Sequence, residues 1–285
     1  MSTAITVSFE FFPPADEAGA RQLSESLRRL AALRPRFVSV THGADGSSRA
    51  RTSAWVRRIA RETDVVVVPH LTCIGASRAE VIELAREYWR AGIRHLVALR
   101  GDSPVHADAP ETAPRARGFE FASDLVHGLK AAHGFDIAVA AYPEGHPESG
   151  TIEADIENLK RKIDAGADRA ITQFFFDTDV FLRYRDRCRA AGIDVPIVAG
   201  ILPICRFAQL TRFAARCGAA VPGWLVRLFD GLDEDAETRR MIAAHVAIEQ
   251  VRVLRRHGIE DFHFYTLNRP ELTYAVCHAA GLRPD

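Results

Sequence analysis

The chain has 285 residues, 47% of them hydrophobic and 26% charged, with 37 basic residues balancing 37 acidic ones. Zero net charge gives no reason to expect nucleic acid or an anionic membrane as partner, and no apolar run approaches membrane-spanning length, so the cytoplasm is the expected location. Cys73, Cys188, Cys205, Cys217 and Cys277 are widely spaced without a C-x-x-C, which favours buried free thiols over a zinc site or a disulfide framework.

The first element is the aromatic run Val7-Ser8-Phe9-Glu10-Phe11-Phe12, stopped by Pro13-Pro14, which predicts a strand over 5–11. Glu10 falls near its end, among three phenylalanines. Apolar surroundings raise a carboxyl's pKa and prepare a general acid for work near neutrality. A glutamate on a solvated face, or one paired with an arginine, fits this segment as well. Leu23, Leu27 and Leu30 then follow helical spacing, and strands are predicted over 36–41 and 65–71. The run Val65-Val66-Val67-Val68 is too uniformly apolar for a half-exposed strand and fits a parallel one covered on both sides.

Ser77-Arg78-Ala79-Glu80 reads as a capping box opening a helix that carries Val81, Leu84, Ala85 and Tyr88. Strands over 94–100 and 136–142 flank a Pro- and Ala-rich, charged stretch, 103–118, expected to be a mobile loop. Ile152, Ile156, Leu159 and Ile163 mark another helix. Strands over 168–175, 195–201 and 261–266 complete the set, and the long connection between the last two is expected to hold two or three helices.

Gly92, Gly166, Gly192 and Gly258 each follow a helical pattern and precede a strand-like one, as suits a left-handed cap. Eight strands alternating with helices predict a (β/α)₈ TIM barrel, α/β in class, with extra helices between strands seven and eight and one domain over 1–285. A doubly wound sheet is the competitor, but no G-x-G-x-x-G follows the first strand and no P-loop is present.

Barrels of this kind carry their sites at the C-terminal ends of the strands. Those ends read Glu10; Thr41 and His42; His70 and Thr72; Arg100 and Asp102; Tyr142, Glu144 and His146; Gln173; and Thr266, Asn268 and Arg269, while strand seven ends in the apolar Ile201-Leu202-Pro203. Polar groups recurring at one end favour a catalytic face. Schiff-base chemistry is disfavoured, because none of Lys130, Lys160 and Lys162 lies at a strand end. His42, His70, His146 and Asp102 lack H-x-H or H-E-x-x-H spacing, so no metal is expected, and no G-x-S-x-G elbow signals a serine triad. What remains suits a bulky, polar organic cofactor or substrate. Phe174, Phe175 and Phe176 are better explained by core packing than by stacking. Asp155, Asn158 and Lys162 share a helical stripe, for which a solvated face is the simpler reading.

The segments Ser8-Phe9-Glu10-Phe11-Phe12-Pro13-Pro14, Pro69-His70-Leu71-Thr72-Cys73, Ala98-Leu99-Arg100-Gly101-Asp102, Ala140-Ala141-Tyr142-Pro143-Glu144, Ile171-Thr172-Gln173-Phe174-Phe175-Phe176-Asp177 and Phe262-His263-Phe264-Tyr265-Thr266-Leu267-Asn268-Arg269 together resemble methylenetetrahydrofolate reductase. The resemblance runs from about residue 5 to the C-terminus and implies a barrel that holds FAD. It further implies reduction of 5,10-methylenetetrahydrofolate to 5-methyltetrahydrofolate with NADH or NADPH, NADH being favoured, by ping-pong hydride transfer that feeds methionine synthesis. The resemblance gives Glu10 the task of protonating N10 and makes Asp102 the negative charge that stabilises the cationic intermediate. Thr41, His42, His70, Arg100, Gly101, Asp102, Ala122, Tyr142, His146, Asp155, Asn158, Arg161 and Lys162 match flavin contacts; Gln173, Gln209, Phe213 and Arg269 match substrate contacts.

His42 and Phe121 stand where the best-studied bacterial relatives carry tyrosine, and the 103–118 loop is longer than theirs. The regulatory region of eukaryotic members is not expected after Asp285, and a homo-oligomer is. The runner-up is a tetrahydrofolate-dependent one-carbon transferase of demethylase type; a non-catalytic folate- or flavin-binding barrel is a third reading.

Overall fold

The computed structural model describes residues 5–42, 49–73, 75–101, 118–204 and 206–284. Eight strands, β1 (Thr6–Phe11), β2 (Phe37–Val40), β3 (Val67–Thr72), β4 (His95–Leu99), β5 (Asp136–Ala141), β6 (Arg169–Thr172), β7 (Ile197–Ile201) and β8 (Asp261–Tyr265), pair in parallel in chain order and close on themselves. Between them run α1 (Glu17–Ala31), α2 (Arg49–Glu62), α3 (Arg78–Arg90), α4 (Ala122–Ala132), α5 (Ile152–Asp164) and α6 (Thr178–Ala190). The β7–β8 connection holds α7 (Phe207–Cys217), α8 (Gly223–Phe229) and α9 (Ala236–Arg256), and α10 (Pro270–Ala279) follows β8. This is the expected (β/α)₈ barrel with its extra helices. No helix among the described residues is long and apolar enough to cross a membrane.

Local chemistry accounts for the alternation. The capping box at Ser77 is formed, with Glu80 N donating to Ser77 Oγ at 3.2 Å and Ser77 N donating to Glu80 Oε2 at 2.7 Å. Gly92, Gly166, Gly192 and Gly258 all have positive φ, between 77° and 112°, the conformation that ends each helix and turns the chain into the next strand.

Strand alternation sorts side chains into two layers. Phe37, Val68, Val97, Ala138, Ile171 and Val198 fill the barrel interior. Phe9, Phe11, Val38, Leu71, Leu96, Val139, Phe262 and Phe264 point outward against the helices in the larger core, together with Leu23, Leu27, Leu30, Val81, Ala85 and Tyr88. Burying each of those large side chains contributes roughly 1.5–3 kcal/mol.

Two expectations are corrected. The valine run is not covered throughout: β3 begins at Val67, and Val66 is 42% exposed at the barrel rim, although its carbonyl still accepts from Val38 N at 2.8 Å. The sixth strand ends at Thr172, and Gln173 to Phe175 lead out of it. The expected loop at 103–118 lies, except for Gly118, outside the described residues. Cys73, Cys188 and Cys277 are buried free thiols, Cys217 is partly exposed, and Cys205 lies outside the described residues.

Thr266 and Asn268 close the barrel seam rather than line a site. Thr266 Oγ1 donates to Glu10 O at 2.6 Å; the Asn268 side chain donates to Phe12 O at 2.9 Å and accepts from Phe12 N at 3.0 Å. Leu267 and Asn268 adopt left-handed φ of 51° and 54° to make this turn. The clamp fixes the backbone on both sides of Glu10.

Candidate active site

A cleft of about 760 Å³ opens at the C-terminal ends of the strands, within the size range of small-molecule sites. Its floor is the upper barrel interior. Glu10 projects there from β1, with His70 Nε2 of β3 at 3.5 Å and His263 Nε2 of β8 at 3.6 Å from Oε2. Tyr265 stands edge-on to His263, ring centroids 5.4 Å apart, and its hydroxyl donates to Thr172 O at 2.7 Å. That reach across β7 requires Gly200: a Cβ there would lie 2.1 Å from Thr172 O and 2.9 Å from the Tyr265 ring.

The expected apolar cage around Glu10 is not present. Phe9 and Phe11 sit on the outer face of the same strand, so the sequence neighbours of Glu10 are not its spatial neighbours. Burial raises its carboxyl, but the imidazoles of His263 and His70 beside it outweigh that and hold it below the ordinary value. The raised pKa inferred from the aromatic run is therefore reversed. His70 is pushed down by burial, with Glu10 opposing.

The walls are polar. Lys162 reaches from α5 to donate to Ala140 O at 2.5 Å, and burial lowers its amine to about 8. The stripe on α5 is thus not simply a solvated face, although Asn158 and Arg161 are exposed at the rim. Asp155 is buried; it accepts from His146 N and from Ser149 Oγ, the latter at 2.6 Å, so both its oxygens hold the β5–α5 loop. Arg100 Nη2 pairs with Glu148 Oε2 at 2.5 Å across the mouth. Gln173 Oε1 accepts from Phe174 N at 3.0 Å, which leaves its amide donors for the cleft. Among the described residues no group of three or more His, Cys, Asp and Glu could hold a metal ion.

A family model described as methylenetetrahydrofolate reductase matches residues 1–281. The chain belongs to the methylenetetrahydrofolate reductase family. It is 53% identical over 281 residues to the 5,10-methylenetetrahydrofolate reductase of Pectobacterium carotovorum subsp. carotovorum, covering 99% of this chain and 92% of that one. With the protein of the same description from Escherichia coli (strain K12) it shares 52% over 280 residues, 98% of this chain and 92% of that one. The fold is also that of an uncharacterized protein from Clostridium thermocellum whose structure is described as binding two copies of 5-methyl-5,6,7,8-tetrahydrofolic acid, at a TM-score of 0.68 and 13% identity over 98% of this chain and 95% of that one. Methylenetetrahydrofolate reductases are oxidoreductases, and the chain is an enzyme of this class.

The residues that the sequence resemblance pointed to as flavin contacts gather here. Thr41 and His42 beyond β2, His70 on β3, Arg100 and Gly101 beyond β4, Ala122 opening α4, Tyr142 and His146 beyond β5, and Asp155, Asn158, Arg161 and Lys162 on α5 all line the cleft, with Glu10 and Gln173. Phe121, half exposed, lines it too. Asp102 lies outside the described residues. Gln209, Phe213 and Arg269 do not line it. Gln209 and Phe213 lie on α7, where Phe213 packs on the cluster of Phe174, Phe176, Leu202 and Leu210, and Arg269 is exposed at the start of α10. Phe174 and Phe176 in that cluster, and Phe175 in the main core, are packing residues as expected.

His263 and Tyr265 are the residues that reading strand ends missed. They lie inside β8, and the alternation Asp261, His263, Tyr265 against Phe262 and Phe264 is the period-two signal that marks them as inward-facing.

Proposed function

We propose that the chain reduces 5,10-methylenetetrahydrofolate to 5-methyltetrahydrofolate with a nicotinamide nucleotide, NADH in preference to NADPH, by a ping-pong reaction through FAD held in this cleft. The observation that carries the reading is convergence: every described residue that matches a flavin contact lines one cleft together with Glu10.

The lining suits an elongated, anionic cofactor. Arg100, Arg161 and Lys162 supply cationic donors along one wall for a diphosphate. Lys162 is a buried amine whose lowered pKa an anion would restore. Thr72 Oγ1 is buried at the cleft without a hydrogen-bond partner among the described residues, a donor available to a ligand. The chemistry that FAD would supply here is hydride transfer between the nicotinamide and the folate.

The chain's own task is to bind, orient and move protons. Glu10 donates a proton to folate N10 as the bond from N10 to the bridging methylene carbon breaks. The electron pair stays on N10, and the resulting 5-iminium cation takes the hydride to become the methyl group. Asp102 is assigned the role of stabilising that cation. Gln173 offers amide donors to the pterin, and Gln209, Phe213 and Arg269, which stand outside the cleft lining, are assigned to substrate on the resemblance. The reaction consumes one nicotinamide hydride and one proton for each methyl group formed. A homo-oligomer in the cytoplasm, supplying methyl groups for methionine synthesis, completes the reading.

The visible spectrum of the purified protein, followed by anaerobic titration with NADH and then with methylenetetrahydrofolate, tests it. Flavin bands that bleach with NADH and return with folate are expected. Undiminished folate reduction after complete removal of flavin would overturn the mechanism.

A further inference from the structure

His263 is 1% exposed, and both of its ring nitrogens face specific partners. Nδ1 lies 2.8 Å from Ser8 Oγ, and Nε2 lies 3.6 Å from Glu10 Oε2. Ser8 and Glu10 are two residues apart on β1, so they share the inward face, and the closing register sets Ser8 directly beside His263. Phe37 packs on the imidazole with ring centroids 5.8 Å apart, and Tyr265 meets it edge-on. The ring has little freedom to turn away.

The hydroxyl of Ser8 has one hydrogen and two acceptors within reach: Nδ1 at 2.8 Å and Phe262 O at 3.4 Å. The 2.8 Å contact fits either direction, but the Glu10 carboxylate across the ring can only accept, so a hydrogen on Nε2 is the arrangement that gives both ring nitrogens a suitable partner. Ser8 Oγ–H then donates to Nδ1, and the hydrogen of the neutral imidazole must reside on Nε2, aimed at Glu10. A donor in that place favours the carboxylate over the carboxylic acid.

We propose that Ser8 fixes His263 in the tautomer that presents Nε2–H to Glu10, and that His263 thereby acts as a positioning residue that keeps Glu10 ionised until folate enters. The proposal deepens the reading of Glu10 as the acid toward folate N10 and rests on it. The other groups facing Glu10 are His70 from β3, held towards its neutral form by burial, and Tyr265, whose phenol burial pushes well above its usual value. His263, with Nε2 3.6 Å from Oε2, is the largest influence holding the Glu10 carboxyl low against its burial.

The test uses the FAD-loaded enzyme and three variants: Ser8→Ala, His263→Gln and Glu10→Gln. ¹⁵N-histidine NMR reads the tautomer without any turnover: wild type is expected to carry the hydrogen on Nε2 of His263, with Ser8→Ala losing that preference. Stopped-flow kinetics then follow flavin reduction by NADH and reoxidation by methylenetetrahydrofolate as separate steps across pH. Ser8→Ala is expected to move the pH profile of reoxidation upward by about one unit, the size of an ordinary environmental shift, with the profile of reduction in place. His263→Gln, which keeps an amide donor, is expected to move it less than Ser8→Ala.

A hydrogen on Nδ1 in wild type, or a Ser8→Ala profile that does not move, overturns the proposal, as does an equal shift in both half-reactions. Glu10→Gln separates the two levels. If it retains reoxidation, the acid role of Glu10 falls and the proposal with it; if it abolishes reoxidation while Ser8→Ala is silent, only the positioning role falls.

Discussion

The carboxylate of Glu10 stands 3.5 Å from Nε2 of His70, on the face of β1 opposite Phe9 and Phe11. Imidazoles on two sides hold it below its ordinary pKa, so near neutrality the open cleft contains a carboxylate. A carboxylate cannot protonate N10. The proton must arrive when folate excludes the remaining water and adds to the desolvation that opposes the imidazoles. Folate binding is therefore expected to take up about one proton near neutral pH and to tighten as pH falls. Calorimetry of a folate analogue in buffers of different ionisation enthalpy measures this directly. Glu10→Gln should abolish the buffer dependence, slow reoxidation by folate by at least about 100-fold, and leave flavin reduction by NADH far less affected. Heats that do not vary with buffer in wild type would rule out proton uptake.

Lys162 links cofactor binding to pH in a different window. Its folded pKa of about 8 is depressed by burial, and an anionic ligand would restore the ammonium. Below pH 8 the amine is already charged, and this group adds no slope. Above it, binding must bring a proton, so affinity for FAD is expected to fall as pH rises through 8 and beyond, by up to about tenfold per unit. Flavin fluorescence titrations from pH 6.5 to 9.5 measure the slope. Lys162→Met should bind more weakly at low pH and lose this part of the slope; a slope identical to wild type would assign the linkage elsewhere.

Gly200 lies on the one strand whose end carries no polar side chain, yet it shapes the site. Its missing Cβ leaves room for the Tyr265 ring, and its N–H donates to Thr172 Oγ1 at 2.9 Å. Because the first atom a methyl group would strike is the Thr172 carbonyl oxygen, relief requires moving strand backbone, not a flexible side chain. Gly200→Ala is expected to destabilise the fold by about 3 kcal/mol, the upper part of the overpacking range, measured by urea unfolding. Loss of less than about 1 kcal/mol would mean that β6 and β7 separate easily.

All eight strands and the extra helices were legible because a barrel repeats one local grammar: a cap, an apolar stripe, a glycine at positive φ, an apolar run. Gly92 and Ser77 illustrate it, each specifying its turn without distant partners. The environment of Glu10 was not legible from its own segment, since Phe9 and Phe11 are adjacent in the chain but lie across the sheet. Its real neighbours, His70 and His263, come from strands far away in sequence, and only the closed register brings them together. Strand ends pointed to most of the cleft, but they passed over His263 and Tyr265, which act from within β8. Val66 misled for the opposite reason: composition suggested cover, but it lies exposed at the rim while Val65 still packs on the core.

At the mouth of the cleft, Glu148 engages the arginine that matches a flavin contact. The Arg100–Glu148 pair is short, but both side chains are substantially exposed, 32% and 54%, so its contribution to stability is at most about 1 kcal/mol. Its effect on an incoming anion is larger in principle, because Glu148 both occupies the guanidinium and presents a like charge. In the proposed reading, FAD phosphate would compete with Glu148 for that guanidinium. Glu148→Gln is therefore expected to tighten FAD binding by about three- to tenfold at low ionic strength, with the advantage shrinking as salt rises past about 0.15 M and screens the repulsion. Titrating apoprotein with FAD at several salt concentrations measures both effects. An advantage that persists unchanged in high salt would point to a change in loop geometry rather than to removal of a competing charge. Weaker binding by Glu148→Gln at every salt concentration would show instead that the pair orients Arg100 for the cofactor.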